Sequence, residues 1–198
     1  QNRKHRLQGI EINNDGTKLF LIWMDAADAD VGARLFEYTL STPYDLTTLS
    51  LVTTAGIELA PSTTNGVENP ASMRFNANGK RIFVISHDSG DAGITQISLD
   101  KAYDTSSYKL DGRLNLFSGV SPKNKEPRGV AFNSSGLKIY IGSDFNWDSE
   151  TEANDGDNPD QVLEFDLVCP FNIFAGKCTS ITDNSDRTGI AEAQIELA

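Results

Sequence analysis

The sequence predicts an all-β protein built from three similar repeats. Three segments share one pattern: alternating apolar residues lead into an Asn-x-x-Gly turn, and a nearly continuous apolar run follows. The segments are residues 10–18 (IEINNDGTK), 73–81 (MRFNANGKR) and 130–138 (VAFNSSGLK). Their turn glycines, Gly16, Gly79 and Gly136, are separated by 63 and 57 residues. Repeats of this length are single supersecondary units, which must pack on one another to bury their apolar faces.

Each repeat is predicted to begin with a β-hairpin. Apolar residues alternate before the turn, as with Ile10 and Ile12, which is the period of a strand. The turn Asn can bond its own backbone, and the Gly supplies the positive φ that a tight turn needs. The apolar run after each turn predicts a second strand that is buried on both faces. These second strands are residues 19–24, 82–86 and 139–142.

Two further strands complete each repeat. The third strands are residues 35–40, 94–99 and 162–167, and the weaker fourth strands are residues 50–53, 114–117 and 179–182. Between them an aromatic residue precedes an Asp or Asn, as Tyr44-Asp45, Tyr103-Asp104 and Phe171-Asn172. We expect the Asp or Asn to form a turn and the aromatic ring to pack on its own repeat. Four antiparallel strands repeated at this spacing are typical of a β-propeller blade.

The predicted layout is therefore three four-stranded blades between two short terminal segments. Residues 1–6 form a basic tail, and blades 1, 2 and 3 cover residues 7–63, 64–126 and 127–184. Residues 191–198 are rich in helix formers, so residues 185–198 predict a short terminal helix, with a closing strand or the start of a further element as the alternatives.

The hairpin motif resembles the blades of bacterial YVTN/lactonase-like propeller-repeat proteins. The resemblance covers roughly residues 7–182 and implies a propeller fold. Because such propellers close with about six to eight blades, three blades imply a partial ring, a ring completed by partner chains, or a piece of a longer protein. Residues 188–198 (TGIAEAQIELA) also resemble the start of the linker helix that follows the passenger of marine bacterial autotransporter-type surface proteins.

Composition argues against nucleic acid and anionic membrane surfaces as partners. The chain has 198 residues, 17 Lys plus Arg and 28 Asp plus Glu, for a formal net charge of −11. Nucleic acid is not expected as a partner, because phosphate contacts need clustered cations. No apolar run approaches the roughly 20 residues that a membrane helix needs. Because the sequence starts at Gln1 without an apolar leader, we expect either a processed mature chain or a fragment.

The two cysteines predict a local disulfide. Cys169 and Cys178 flank a short segment with turn-forming residues, and an even number of close cysteines suits a bridge in an oxidising compartment. The alternative is a pair of buried free thiols. The disulfide favours an extracellular, cell-surface or periplasmic location.

The loops between second and third strands predict one acidic face. Blade-equivalent loops of a propeller emerge on the same side, where ligands usually bind. Residues 25–32, 87–93 and 144–160 contain no Lys or Arg. Their twelve acids are Asp25, Asp28, Asp30, Asp88, Asp91, Asp144, Asp148, Glu150, Glu152, Asp155, Asp157 and Asp160.

The third acidic loop is a candidate calcium site. Alternating oxygen donors start the loop and two later acids follow, as in irregular calcium loops. The candidate metal ligands are Asp144, Asn146, Asp148, Glu152 and Asp155. The alternative is a solvated acidic loop, because Ser149 occupies a position where an EF-hand requires glycine.

Two hypotheses for function follow. The first is an extracellular or cell-surface binding and assembly module, an adhesive or structural passenger that self-associates or binds other surface proteins or glycans. Its candidate ligand-binding residues are Phe145, Trp147, Asp25 and Asp88, although both aromatic side chains could instead fold back on the blade. The second is a lactonase-like, metal-dependent hydrolase. No nucleophile motif is present, and we assign no catalytic residue.

Overall fold

The computed structural model describes residues 5–25, 33–52, 56–59, 69–86, 92–115, 126–144 and 161–174. These residues form three antiparallel sheets and two short 3-10 helices, at Leu46–Thr48 and Thr105–Ser107. The strands are β1 (His5–Ile12), β2 (Lys18–Asp25), β3 (Ala33–Leu40), β4 (Leu49–Leu51), β5 (Ile57–Glu58), β6 (Pro70–Phe75), β7 (Arg81–Ser86), β8 (Gly93–Leu99), β9 (Tyr108–Asn115), β10 (Glu126–Phe132), β11 (Lys138–Asp144) and β12 (Gln161–Asp166). The predicted all-β repeat fold is confirmed.

Each sheet is one blade, in which neighbouring strands follow the order of the chain. Blade 1 has the order β1-β2-β3-β4, and the short strand β5 also pairs with β3. Blade 2 has the order β6-β7-β8-β9, and the described part of blade 3 has the order β10-β11-β12. The predicted fourth strand of blade 3, residues 179–182, and the predicted terminal helix, residues 185–198, lie outside the described residues.

The blades share one orientation and pack through their first strands. Strand β6 contacts both β1 and β10. All three first strands carry a register shift at the same position of the repeat, between Leu7 and Gly9, Pro70 and Ser72, and Pro127 and Gly129. Such irregularities increase the local twist of a strand, so the repeats share their distortion as well as their topology.

Aromatic pairs mark the two apolar cores, which lie between blades. The rings of Phe20 in blade 1 and Phe75 in blade 2 have centroids 4.6 Å apart. The equivalent rings of Phe83 in blade 2 and Phe132 in blade 3 are 4.5 Å apart. Both Phe20 and Phe83 are fully buried, and each packs in the cluster that joins two neighbouring blades. Each blade buries its apolar face against the neighbouring blade and not within itself, as the length of the repeat predicted.

Each blade therefore has two distinct faces. We call the face that packs on the next blade in the chain the trailing face, and the face that packs on the previous blade the leading face. Phe20 belongs to the trailing face of blade 1, and Phe75 belongs to the leading face of blade 2.

The aromatic turn after each third strand folds back onto the hairpin of its own blade. Tyr44, Tyr103 and Phe171 all have positive φ, at 62°, 56° and 52°. Their N–H groups donate to the carbonyls of Gly16, Gly79 and Gly136 at 2.9, 2.8 and 2.8 Å. Packing of the ring on its own blade was predicted. The position of the left-handed residue was not, because turn propensity favours Asp or Asn over an aromatic residue there.

Candidate functional site

A polar pocket lies at the hairpin end of the three blades. Its volume is about 270 Å³. The lining residues are Glu11, Ile12, Asn14, Arg74, Phe75, Asn76, Ala77, Tyr103, Phe132, Asn133, Ser134 and Phe171. They come from the ends of the first strands, from the hairpin turns and from the aromatic turns, so the repeat itself brings them together.

Glu11 and Arg74 form the charged part of this pocket. They occupy equivalent positions of β1 and β6, and Arg74 Nη1 donates to Glu11 Oε1 at 3.0 Å. Burial raises the pKa of the Glu11 carboxyl above its usual value of 4.5, while the charge and the hydrogen bond of Arg74 lower it by less. A second hydrogen bond joins the same two blades here: the Asn14 side chain donates to the Ala77 carbonyl at 3.1 Å.

Aromatic side chains form the walls. The ring of Tyr103 lies 5.0 Å from that of Phe75, and the ring of Phe171 lies 5.2 Å from that of Phe132. Burial raises the pKa of the Tyr103 hydroxyl above 10.0. A pocket with aromatic walls and a carboxyl–guanidinium pair has the chemistry to hold a small polar molecule.

Two residues of the predicted acidic face lie at the opposite end of the blades. Asp25 ends β2 and Asp144 ends β11, and each strand starts at its hairpin, so both residues lie at the far end of the sheet. Asp88, Phe145, Asn146, Trp147, Asp148, Glu152 and Asp155 lie outside the described residues.

The calcium site therefore stays a prediction. Within the part of the chain that the structure describes, no three His, Cys, Asp or Glu residues are grouped closely enough to hold a metal ion. That finding does not extend to the third acidic loop. No helix among the described residues is both long and apolar enough to cross a membrane.

Cys169 is buried in the aromatic turn of blade 3. Its carbonyl accepts a hydrogen bond from the Asn172 N–H at 3.2 Å, which fixes the turn. Cys178 lies outside the described residues, so the bridge between the two cysteines stays a prediction.

A polar clamp, which the sequence analysis missed, joins blade 1 to blade 2. Lys18 Nζ lies 2.6 Å from Glu37 Oε1 and donates to the Tyr103 carbonyl, also at 2.6 Å. Glu37 Oε2 accepts from the backbone N–H of Thr105 at 3.0 Å and from its hydroxyl at 2.7 Å. Glu37 is only 4% exposed. One Lys–Glu pair on the trailing face thus holds both ends of the next aromatic turn.

The same clamp joins blade 2 to blade 3 with different side chains. Arg81 Nη1 donates to the Phe171 carbonyl at 2.6 Å, and Gln96 Oε1 accepts from the Ile173 N–H at 2.9 Å. Arg81 and Gln96 occupy the repeat positions of Lys18 and Glu37. Both clamps bind the same two backbone groups: the carbonyl of the aromatic residue, and the N–H two residues later.

Blade 3 carries the third clamp pair on its trailing face. Lys138 forms ion pairs with Glu164 and, at 3.0 Å, with Asp166. These carboxylates raise the pKa of the Lys138 ammonium well above its usual range. No backbone group of another described blade contacts this pair. The clamp has a signal in the sequence. Each repeat has a basic residue five positions after its turn Asn, and an acid or amide three positions before the Leu near the end of its third strand.

Comparison with known proteins finds likeness in structure only. No model of a known protein family matches the chain, and no curated protein matches it. A putative 6-phosphogluconolactonase from Bacteroides uniformis is 16% identical, with a TM-score of 0.49 over 82% of this chain and 37% of its own. A second putative 6-phosphogluconolactonase, from Bacteroides fragilis, is 14% identical, with a TM-score of 0.47 over 81% of this chain and 35% of its own.

A protein from Lactobacillus plantarum is 12% identical, with a TM-score of 0.49 over 82% of this chain and 38% of its own. The chain spans well under half the length of each of these three proteins.

Proposed function

We propose that the chain is a propeller-type binding and assembly module that works by associating with other blades. One observation carries this proposal: blade 1 exposes the surface that blades 2 and 3 bury. Leu46 is 57% exposed, whereas its equivalents Thr105 and Ile173 are each 2% exposed. Tyr44, on the same turn, is 62% exposed. An exposed surface of the kind that the protein buries elsewhere is typical of an interaction site.

The location and further partners belong to the same proposal. A disulfide between Cys169 and Cys178 would suit a protein of the cell surface or the extracellular space. The acidic loops, with Phe145, Trp147 and a calcium ion held by residues 144–155, would then serve surface proteins or glycans as an adhesive face. The net charge of −11 supports partners other than nucleic acid.

Molar mass in solution tests the proposal. We expect the molar mass of the purified chain, measured by size-exclusion chromatography with light scattering, to exceed 21.6 kDa and to increase with protein concentration. A mass of 21.6 kDa at every concentration, together with no binding to glycan or surface-protein arrays, would overturn the proposal. A zinc- and calcium-free buffer and a calcium-containing buffer separate metal-dependent association from blade packing.

A lactonase-like hydrolase is the second candidate, and the Glu11 pocket favours it. A carboxyl group whose pKa is raised is a candidate general base, and Arg74 beside it can hold an anionic substrate oxygen. This candidate would be supported if the wild-type chain hydrolyses lactones and the Glu11→Gln variant, folded as the wild type is, does not. Equal rates for the variant and the wild type would exclude Glu11 as the base.

A further inference from the structure

We propose that the trailing face of blade 3 binds the aromatic turn of blade 1 in a second copy of this chain. Lys138 and Glu164 form the binding clamp, and the Tyr44 carbonyl and the Leu46 N–H are the groups that it binds. This inference rests on the proposed function, because it names the partner and the contact in an assembly module.

The clamp side repeats two interfaces that the structure contains. In both interfaces the basic side chain donates to a turn carbonyl, and the acidic or amide side chain accepts from a turn N–H. Lys138 and Glu164 form an ion pair at the repeat positions of Lys18 and Glu37, and Lys138 also contacts Asp166 at 3.0 Å. Their side chains are 36% and 23% exposed, so the pair is open to an incoming turn.

The turn of blade 1 is built to fit such a clamp. In this turn Tyr44 is left-handed, and the Asp45 side chain caps the 3-10 helix by accepting from the Thr47 N–H at 3.0 Å. Tyr103 and Asp104 have the same geometry in the turn that the clamp of blade 1 binds. No described residue donates to the Tyr44 carbonyl or accepts from the Leu46 N–H. Both groups are therefore available at the spacing that the two formed clamps recognise.

The apolar surfaces beside the clamp continue the same series. Phe20 packs on Phe75, and Phe83 packs on Phe132. The next members are Tyr140 on the trailing face of blade 3, which is half-buried, and Ile12 on the leading face of blade 1, which is 37% exposed. Contact between Tyr140 and the partner's Ile12 would cover both and add apolar burial to the polar clamp.

A second copy supplies, in its blade 1, a turn of the kind that the clamp binds. The clamped turns both begin with an aromatic residue whose ring seals the hairpin glycine. Residues 1–4 and 175–198 contain no Phe, Tyr or Trp, so neither segment offers such a turn. A contact from blade 3 to blade 1 is head-to-tail, and such contacts close into rings or extend into filaments. Two copies supply six blades, within the range in which propellers close.

Substitutions in the clamp give the first test, with blade 2 supplying the matched controls. We expect Lys138→Met and Glu164→Ala to weaken self-association by about tenfold or more, because each removes hydrogen bonds to a charged group. Lys138→Arg and Glu164→Gln should keep association within about threefold, because blade 2 uses Arg and Gln at these positions. Urea unfolding of each variant confirms that blade 3 stays folded.

Substitutions in the turn give the second test. Leu46 begins a 3-10 helix after an extended Asp45, a position that accepts proline. Leu46→Pro removes the N–H that Glu164 binds and should weaken association about tenfold, whereas Leu46→Ala keeps the N–H and should change it less. Mixing Lys138→Met chains with Leu46→Pro chains should restore pairing. The Leu46→Pro chain supplies an intact clamp on blade 3, and the Lys138→Met chain supplies an intact turn on blade 1.

The outcomes separate this inference from the proposed function. Association that persists in all these variants would overturn the clamp and leave the assembly function standing. A wild-type chain that stays monomeric would overturn both. Loss of association on deleting residues 185–198, with the clamp variants unaffected, would show that the C-terminal segment is the occupant and would overturn the second-copy contact.

Discussion

The ring of Tyr103 lies directly against Gly79, leaving no room for a side chain at that position. A Cβ on Gly79 would fall well inside van der Waals contact with the ring, and Gly79 itself has φ of +69°. Tyr44 covers Gly16 and Phe171 covers Gly136 in the same way. The hairpin glycine therefore serves two purposes: it forms the turn, and it gives the aromatic ring a flat surface.

Gly79→Ala should destabilise the protein by about 1–3 kcal/mol. The substitution adds the cost of a left-handed alanine and forces the Tyr103 ring away from the turn. Denaturant unfolding measures the change. Gly129→Ala is the matched control, since no atom lies within 4 Å of a Cβ there and its φ is not left-handed. Equal effects of the two substitutions would contradict the role given to the ring.

Glu37→Ala should cost about 3–5 kcal/mol in unfolding free energy, because it leaves Lys18 and the Thr105 N–H without their buried partner. Glu37→Gln should cost about 1 kcal/mol, since Gln96 fills the equivalent position of blade 2 and an amide oxygen still accepts from the turn. Thermal or urea unfolding distinguishes the two variants. If alanine and glutamine cost the same, the clamp does not stabilise the interface between blades.

Glu11 should make stability fall as the pH rises. Burial raises the pKa of its carboxyl in the folded chain above 4.5, so the folded state holds this proton more tightly than the unfolded state. The contribution of Glu11 is fully present below about pH 4.5 and is lost as the pH rises through the raised pKa. The stability of Glu11→Gln relative to the wild type should therefore improve between about pH 4 and about pH 7. A relative stability that declines over this range would mean that the Arg74 pair outweighs burial.

Cys169 and Cys178 should form a bridge in protein purified without reductant. Alkylation of the denatured, unreduced chain should label no thiol, and reduction should expose two. The short loop should contribute about 2–3 kcal/mol, so Cys178→Ser should lower the midpoint of unfolding only under oxidising conditions. Full alkylation without reduction would rule the bridge out.

Calcium should stabilise the third acidic loop. We expect added calcium to raise the melting temperature of the wild-type chain and to have little effect on Asp148→Asn, because hard carboxylate donors are removed. Asp100→Asn, at an exposed turn of blade 2, is the control and should respond as the wild type does. The site is excluded if calcium shifts all three proteins equally or none of them.

Periodicity predicted the blades because each strand had to place its apolar residues toward a neighbour. The Asn-x-x-Gly turns and the alternation of Ile10 and Ile12 located the hairpins, and the structure has them where they were predicted. The aromatic turn was predicted only in part, because the left-handed φ of Tyr103 depends on its contact with Gly79, 24 residues earlier in the chain. Propensity cannot reveal such a contact.

The clamp was not predicted, for a related reason. Lys18 and Glu37 are ordinary residues for the exposed side of a strand, and only the packing of blades brings them to a turn 68 residues away from Glu37. Glu11 and Arg74 likewise meet only because equivalent strands lie side by side. The acidic loops were predicted from their extreme composition. Composition is a weaker guide to the position of residues than the repeat is.

The contacts that the two formed clamps share are made to main-chain atoms of the next blade, a carbonyl and an N–H of its aromatic turn. If the clamp bound a side chain of the next blade, a substitution of that side chain would require a matching substitution in the clamp. A blade that keeps its aromatic turn therefore presents the two backbone groups that the clamp of the previous blade binds. Substitutions in the turn that preserve its backbone conformation should leave these two hydrogen bonds in place.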